Sequence, residues 1–173
     1  KWHCGPNDDP NKQYDPRSRG FDEYWVGAMT AGSTNLDLKG NLVPHQKKST
    51  WPKELQNRVI LQGKFAEAFV TRNKTKPFFL YFPIYGPHVP MIRKTDPYYQ
   101  NFPKQTYPQY NDAQNDVRRQ GLALLKAMDD AVGSLVQTLR NNGIEENTLI
   151  LFAGDNGAPG KQTHNSPIGS WNG

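Results

Sequence analysis

The chain has 173 residues, 35% of them hydrophobic, with 14 proline and 15 glycine residues, so its length suffices for one domain but its composition predicts few long elements. Its single cysteine excludes an internal disulfide and a multi-cysteine zinc site, and no apolar segment reaches the length of a transmembrane helix. The formal charge is +5, but the basic residues are scattered, so we expect no nucleic-acid partner. An anionic small molecule or a polysaccharide fits the charge equally well.

The chain begins with Lys1-Trp2-His3, which places a cation and an imidazole on one side of the backbone if the segment is extended. This pair suits an anion, although an exposed lysine near a surface histidine is the ordinary alternative. Residues 27–52 form a long irregular insertion with little periodicity. They predict either a substrate-facing loop or a variable one.

Residues 53–72 carry apolar side chains at roughly helical spacing and predict a covering helix, although Gly63 interrupts the pattern. Asn73-Lys74-Thr75 follows the helix and matches the N-glycosylation motif, which is common by chance and has meaning only in a eukaryotic secreted protein. The apolar positions of the predicted helix are Leu55, Val59, Phe65, Ala66, Phe69 and Val70.

Residues 77–82 form an apolar and aromatic run that predicts a buried β-strand. A proline-rich loop follows, and it places His88 just beyond the end of this strand. Pro87 and Pro90 limit how the imidazole can be aimed. A restricted imidazole suits a general acid or a ligand, although a lone histidine is more often structural.

Residues 93–116 have no clear period and predict an exposed loop. An apolar stripe in residues 116–140 predicts a second long helix, which ends at Asn142-Gly143. We expect Asp129 and Asp130 to be structural, because neighbouring carboxylates on a helix point about 100° apart and do not converge on one substrate atom. The stripe consists of Leu124, Met128, Val132, Leu135 and Leu139.

Residues 149–152 are apolar without alternation, which predicts a strand covered on both faces. With the strand at residues 77–82 and the helix between them, this strand completes a βαβ unit. Asp155 and Asn156 follow at its carboxyl end, where open α/β sheets bind ligands. Their oxygens suit a hard cation, and the alternative is a polar turn with Gly157 at positive φ.

Several short motifs occur in a fixed order along the chain. They are Lys1-Trp2-His3-x-Gly5, Arg19-Gly20-Phe21-Asp22, Pro77-Phe78-Phe79-Leu80-Tyr81, Pro87-His88-x-Pro90, Asp129-Asp130-Ala131-Val132-Gly133 and Asn147-Thr148-Leu149-Ile150-x-Phe152-x-x-Asp155-Asn156-Gly157. In this order and spacing the chain resembles type I sulfatases, the arylsulfatase-like branch of the alkaline phosphatase superfamily. The resemblance implies an α/β fold, a three-layer α/β/α sandwich around a mixed, largely parallel sheet. We expect the sheet to be incomplete here, with residues 1–173 forming a middle segment of the catalytic domain that is truncated at both ends.

The resemblance also implies roles for individual residues. Asp155 and Asn156 would be two ligands of a calcium ion (Ca²⁺) that binds the sulfate and the nucleophile. Lys1 would contact the nucleophile and a sulfate oxygen, His3 would hydrogen-bond the nucleophile, and His88 would lie at the sulfate near the leaving oxygen. The implied activity is calcium-dependent hydrolysis of a sulfate ester, with a sulfated carbohydrate as one expected substrate, in a secreted, periplasmic or lysosomal protein.

The chain departs from the family pattern at the nucleophile. That nucleophile is a formylglycine made from the cysteine of a Cys-x-Pro-x-Arg motif, whereas Cys4-Gly5-Pro6-Asn7-Asp8 ends in aspartate. Cys4 is therefore not the expected nucleophile, which should lie outside this chain, and we expect the isolated segment to be inactive. Two alternatives stay open, namely a phosphoester or phosphonate hydrolase of the same superfamily and a non-catalytic, anion-binding pseudo-sulfatase.

Overall fold

A computed structural model describes residues 16–27, 32–34, 37, 39, 41, 57–88 and 91–155. Its helices are α1 (Arg58–Asn73), α2 (Pro97–Asn101) and α3 (Asp112–Asn141), with short 3₁₀ turns at Pro16–Arg19 and Glu145–Asn147. Strands β1 (Trp25–Gly27) and β2 (Gly32–Thr34) form an antiparallel hairpin in which Trp25 pairs with Thr34. None of the described helices combines the length and apolarity that a membrane span requires.

The chain forms two compact units. The first contains Lys1–Tyr85 and Ala131–Glu146, and the second contains Gly86–Asp130 and Asn147–Gly173. Helix α3 contributes its C-terminal part to the first unit and its N-terminal part to the second.

Helix α1 confirms the first predicted helix but begins at Arg58. The side chain of Asn57 caps it, because Asn57 Oδ1 accepts hydrogen bonds from the backbone N–H groups of Val59 at 3.0 Å and Ile60 at 3.4 Å. Residues 53–56 of the predicted helix lie outside the described residues. The side chains that α1 buries include Val59, Leu61, Ala66 and Val70.

Helix α3 confirms the second predicted helix and begins about one turn earlier than expected. Asn111 and Gln114 form a reciprocal capping box, in which Gln114 N donates to Asn111 Oδ1 at 2.9 Å and Asn111 N donates to Gln114 Oε1 at 3.0 Å. The helix ends as predicted, because Gly143 adopts a φ of +69° and Ile144 N donates to Leu139 O at 3.1 Å.

Helices α1 and α3 pack closely in the first unit. A Cβ placed on Gly63 would lie 3.0 Å from Ala131 Cβ. Gly63, which breaks the apolar pattern of α1, is therefore the residue that lets the two backbones approach.

The two segments predicted as buried strands are not strands in the structure. Residues 77–82 and 149–152 belong to no sheet of described residues, and Phe79 and Leu151 expose 75% and 86% of their surface. A strand is stabilised by hydrogen bonds to a neighbouring strand, and within residues 57–88 and 91–155 no such neighbour exists. The predicted βαβ unit is therefore not observed, and its helix is the confirmed part.

The regions predicted to be irregular contain short elements. The insertion at residues 27–52 includes strand β2, and most of its other residues lie outside the described ones. The loop at residues 93–116 contains helix α2, which Asp96 caps by accepting a hydrogen bond from Tyr98 N at 2.9 Å. Pro97 follows at the first helical position, where proline is well tolerated.

Candidate functional site

The loop segment that precedes His88 is hydrogen-bonded to helix α1. Gln62 is almost fully buried, with 9% of its surface exposed. Its Oε1 accepts a hydrogen bond from Tyr85 N at 2.9 Å, and its Nε2 donates to Pro83 O at 3.4 Å. One amide side chain therefore binds the backbone of this loop at two points.

Arg58 lies one helical turn before Gln62 and contacts the same loop residue. Its guanidinium is 4.1 Å from the centre of the Tyr85 ring and 5.7 Å from that of Trp25. Burial lowers the pKa of Arg58, and the nearby Tyr85 acts in the opposite direction. Burial raises the pKa of Tyr85, opposed by the charge of Arg58. A hydrogen bond from its backbone to Gln62 and a cation–π contact with Arg58 thus both act on Tyr85.

In the second unit the loop continues along helix α3. A Cβ placed on Gly86 would be 3.5 Å from both Leu124 Cγ and Met128 Cβ, so the backbone at Gly86 lies against this helix. Met128 has the packing role that the sequence predicts. The Gly86–Pro87 peptide bond is cis, and His88 follows as an exposed residue.

The proposed metal ligands are only partly described. Asp155 is exposed and follows the apolar residues 149–152, whereas Asn156, Lys1 and His3 lie outside the described residues. Within the part of the chain that the structure describes, no three His, Cys, Asp or Glu side chains gather in a way that could hold a metal ion. Calcium takes six to eight oxygen ligands. Asp155 therefore fits as one ligand, and the others would have to come from elsewhere.

A polar cluster that sequence reasoning missed holds the loop of residues 93–110 in the second unit. Asp116 pairs with Lys94 at 2.6 Å and accepts a hydrogen bond from Tyr99 Oη. Burial alone would raise the pKa of Asp116, but the bonds from Lys94 and Tyr99 hold it below its usual value. Arg119 lies over the Tyr99 ring at 4.3 Å and donates to Phe102 O. These contacts give the cluster a structural role.

Asp130 also has a structural role, as the sequence predicts. It interacts with Tyr98 of α2, and burial together with the negative charge of Asp130 raises the pKa of Tyr98 to about 12. Lys126, one turn earlier in α3, pairs with the same carboxylate. Tyr98 is thus an uncharged hydrogen-bonding residue at neutral pH.

An open cleft in the first unit has a volume of about 390 Å³ and contains none of the predicted site residues. Lys64 and Arg72 line it. Lys64 pairs with Glu67 at 2.9 Å, and Arg72 pairs with Glu23. Carboxylates pair with these two cations, which leaves Lys39 as the remaining cation among the described lining residues and weakens the cleft as an anion site.

The described part of the candidate site is an exposed histidine on an anchored loop and an exposed acid after an apolar segment. The sulfatase family model matches residues 1–172, and the chain belongs to this family. The resemblance seen in the sequence motifs is therefore confirmed.

Similar proteins are themselves named sulfatases. Arylsulfatase J of Mus musculus is 24% identical, and the match covers 91% of this chain and 26% of that protein. N-acetylgalactosamine-6-sulfatase of Mus musculus is 27% identical over 91% of this chain and 29% of its own length. The uncharacterized sulfatase YdeN of Escherichia coli (strain K12) is 31% identical over 85% of this chain and 24% of its own length. The chain thus spans about a quarter of the length of these curated relatives. No solved structure matches it significantly.

Proposed function

We propose that the protein carrying this chain is a sulfuric ester hydrolase, with a formylglycine nucleophile that lies outside this chain. The observation that supports this most strongly is the family match over residues 1–172. Cys4 stays excluded as the nucleophile, because its surrounding residues end in Asp8 where the modification motif requires arginine.

In this proposal His88 donates a proton to the leaving oxygen. Sulfuryl transfer builds negative charge on that oxygen, so a positioned acid lowers the barrier most when the departing alcohol is strongly basic. The exposed position of His88 on an anchored loop is compatible with this role. Lys1 and His3 would hold the sulfate and the nucleophile through an ammonium and an imidazole.

Asp155 and Asn156 would hold a calcium ion together with oxygen ligands from outside the described residues. When bound, the ion would supply positive charge to the sulfuryl oxygens. The Asp155 carboxylate is exposed and suits this hard cation.

The proposed fold is the α/β/α sandwich with a mixed, largely parallel sheet. Residues 77–82 and 149–152 would each form a strand of it by pairing with strands elsewhere in the protein. The exposure of large apolar side chains supports this, because Phe79 and Leu149 expose 75% and 84% of their surface, which is unfavourable in water.

A sulfated carbohydrate is the proposed substrate class. One relative is named N-acetylgalactosamine-6-sulfatase, and the net charge of +5 suits a polyanionic sugar. A phosphoester or phosphonate hydrolase and a non-catalytic anion-binding protein would use similar charged and metal-binding side chains. These two alternatives are therefore possible outcomes of the test.

The test compares an activated aryl sulfate, an alkyl sulfate and an aryl phosphate as substrates of the full-length protein. We expect sulfate hydrolysis, and we expect His88→Ala to lower kcat for the alkyl sulfate by about 10²-fold, with a smaller loss for the aryl sulfate. Preference for the phosphate would favour the phosphoesterase, and sulfate binding without turnover would favour the pseudo-sulfatase. Equal losses for both sulfates would remove His88 from the acid role.

A further inference from the structure

We infer that Gln62 is a positioning residue for His88, acting through the backbone of the loop that carries it. This inference rests on the proposed function of His88. Gln62 belongs to helix α1 and lies outside every motif by which the chain resembles its family.

The hydrogen bonds of Gln62 fix the loop in a way that packing alone does not. Tyr85 N has a buried amide acceptor at 2.9 Å, and the amide nitrogen of the same side chain reaches Pro83 O at 3.4 Å. Hydrogen bonds have preferred distances and angles, so they define both the distance of the Tyr85 peptide from helix α1 and its orientation. The Arg58 contact with the Tyr85 ring at 4.1 Å is less directional and tolerates sliding.

The position of Tyr85 connects this anchor to the chemistry. Tyr85 is followed by Gly86, by Pro87 with its fixed φ and by His88, so the anchored residue lies three residues before the imidazole along the chain. A general acid must lie within hydrogen-bond reach of the leaving oxygen. Loss of the Tyr85 anchor would therefore misplace His88 by an amount that matters for proton transfer.

Asn115 offers a matched control because it is also a buried amide side chain on a helix, and it binds the backbone of a different loop. It is also 9% exposed. Its Oδ1 accepts from Tyr107 N at 2.9 Å and its Nδ2 donates to Tyr110 O at 3.0 Å. Replacing it should loosen a loop that does not carry His88. Asn115→Leu therefore measures the general cost of losing a buried amide.

The experiment uses the full-length protein and the variants Gln62→Met, Gln62→Glu and Asn115→Leu, each also combined with His88→Ala. We expect Gln62→Met to lower kcat for the alkyl sulfate by about tenfold or more and that for the activated aryl sulfate by much less, because small displacements of a catalytic group are costly. Gln62→Glu keeps an acceptor for Tyr85 N but loses the donor to Pro83 O, so it should lower kcat for the alkyl sulfate less than Gln62→Met does. Asn115→Leu should lower both rates by a similar factor or not at all.

The combined variants decide whether Gln62 acts through His88. If it does, Gln62→Met will cause no further leaving-group-dependent loss once His88 is alanine, because the two changes remove one function. The same loss with and without His88, or equal losses for both substrates, would show a merely structural role and overturn the inference. If His88→Ala itself shows no leaving-group dependence, the proposed role of His88 has failed.

A measurement without turnover covers the case in which activity is too low to compare. Hydrogen exchange of the peptide containing residues 83–88 should be faster in Gln62→Met than in wild type, and should be unchanged in Asn115→Leu. Unchanged exchange in Gln62→Met would overturn the inference whatever the activity of the protein.

Discussion

The close approach of α1 and α3 at Gly63 allows a quantitative prediction for Gly63→Ala. In most helix interiors this change stabilises a protein by about 1 kcal/mol, because alanine is the better helix former. At Gly63 the new methyl group would lie 3.0 Å from Ala131 Cβ and 3.5 Å from Ala131 Cα. Neither atom can rotate away, since both are fixed to the backbone of α3.

The two effects oppose each other, and the steric one should win. Overpacking a well-packed contact costs about 1–3 kcal/mol, so the expected net result is a loss of about 1 kcal/mol in the free energy of unfolding once the gain in helix propensity is included. Gly133→Ala is the matched control. Gly133 is an exposed residue of α3 whose added Cβ would meet nothing within 4 Å, so we expect it to stabilise the chain.

Urea unfolding followed by circular dichroism measures both changes. The double variant Gly63→Ala/Ala131→Gly exchanges the two residues, so it removes the clash at constant helix propensity and should return to about the stability of wild type. If Gly63→Ala and Gly133→Ala stabilise equally, the helices do not meet as closely as the structure shows.

Three further predictions concern the other buried contacts and the metal. Asn73 exposes 5% of its surface and donates to Phe69 O at 2.9 Å. Mass spectrometry of protein from a eukaryotic secretory host should therefore find no glycan on Asn73. A fully occupied glycosylation site would contradict this packing. Because the folded-state pKa of Asp116 lies below its usual 3.8, its contribution is present above that pH and disappears as the pH falls through the lower value. Asp116→Asn keeps an acceptor for Tyr99 but removes the negative charge that strengthens this bond. It should therefore cost about 1 kcal/mol of unfolding free energy at pH 7, with little of it from the largely exposed Lys94. No difference is expected in strong acid, and a pH-independent loss would contradict the prediction. Chelation should abolish sulfatase activity of the full-length protein and calcium should restore it, whereas activity that survives chelation would argue against the metal.

The helices could be predicted from the sequence because their signals are local. The apolar stripe with Leu124 and Leu139 has helical spacing, and both of these side chains are buried. The beginnings of the helices were predicted less accurately than their C-terminal ends, because N-caps decide where a helix begins. Asn57 places the beginning of α1 at Arg58, later than predicted, and the Asn111–Gln114 pair places the beginning of α3 about one turn earlier than predicted. Both are recognisable capping signals in the sequence.

The strands and the candidate site depend on partners that are distant in sequence. Residues 149–152 have an apolar composition that suits a buried strand, but a strand forms only where another strand supplies hydrogen bonds. Similarly, the spacing around His88 indicates a restricted imidazole but cannot show what holds its loop. Gln62 gives no signal by itself, because a glutamine in an amphipathic helix is usually on the solvent face.

The beginning of α1 connects helix packing to the candidate site. Gln62 and Gly63 are neighbours and point about 100° apart on the helix, so one contacts the Tyr85 peptide while the other contacts Ala131. An added methyl group at Gly63 would displace α1 by a few tenths of an ångström and would carry Gln62 with it. Gly63→Ala should therefore show a weaker form of the leaving-group-dependent loss expected for Gln62→Met, and Gly133→Ala should show none. The ratio of kcat for alkyl and aryl sulfates measures this, and an unchanged ratio in a destabilised Gly63→Ala variant would mean that the loop position is independent of this helix contact.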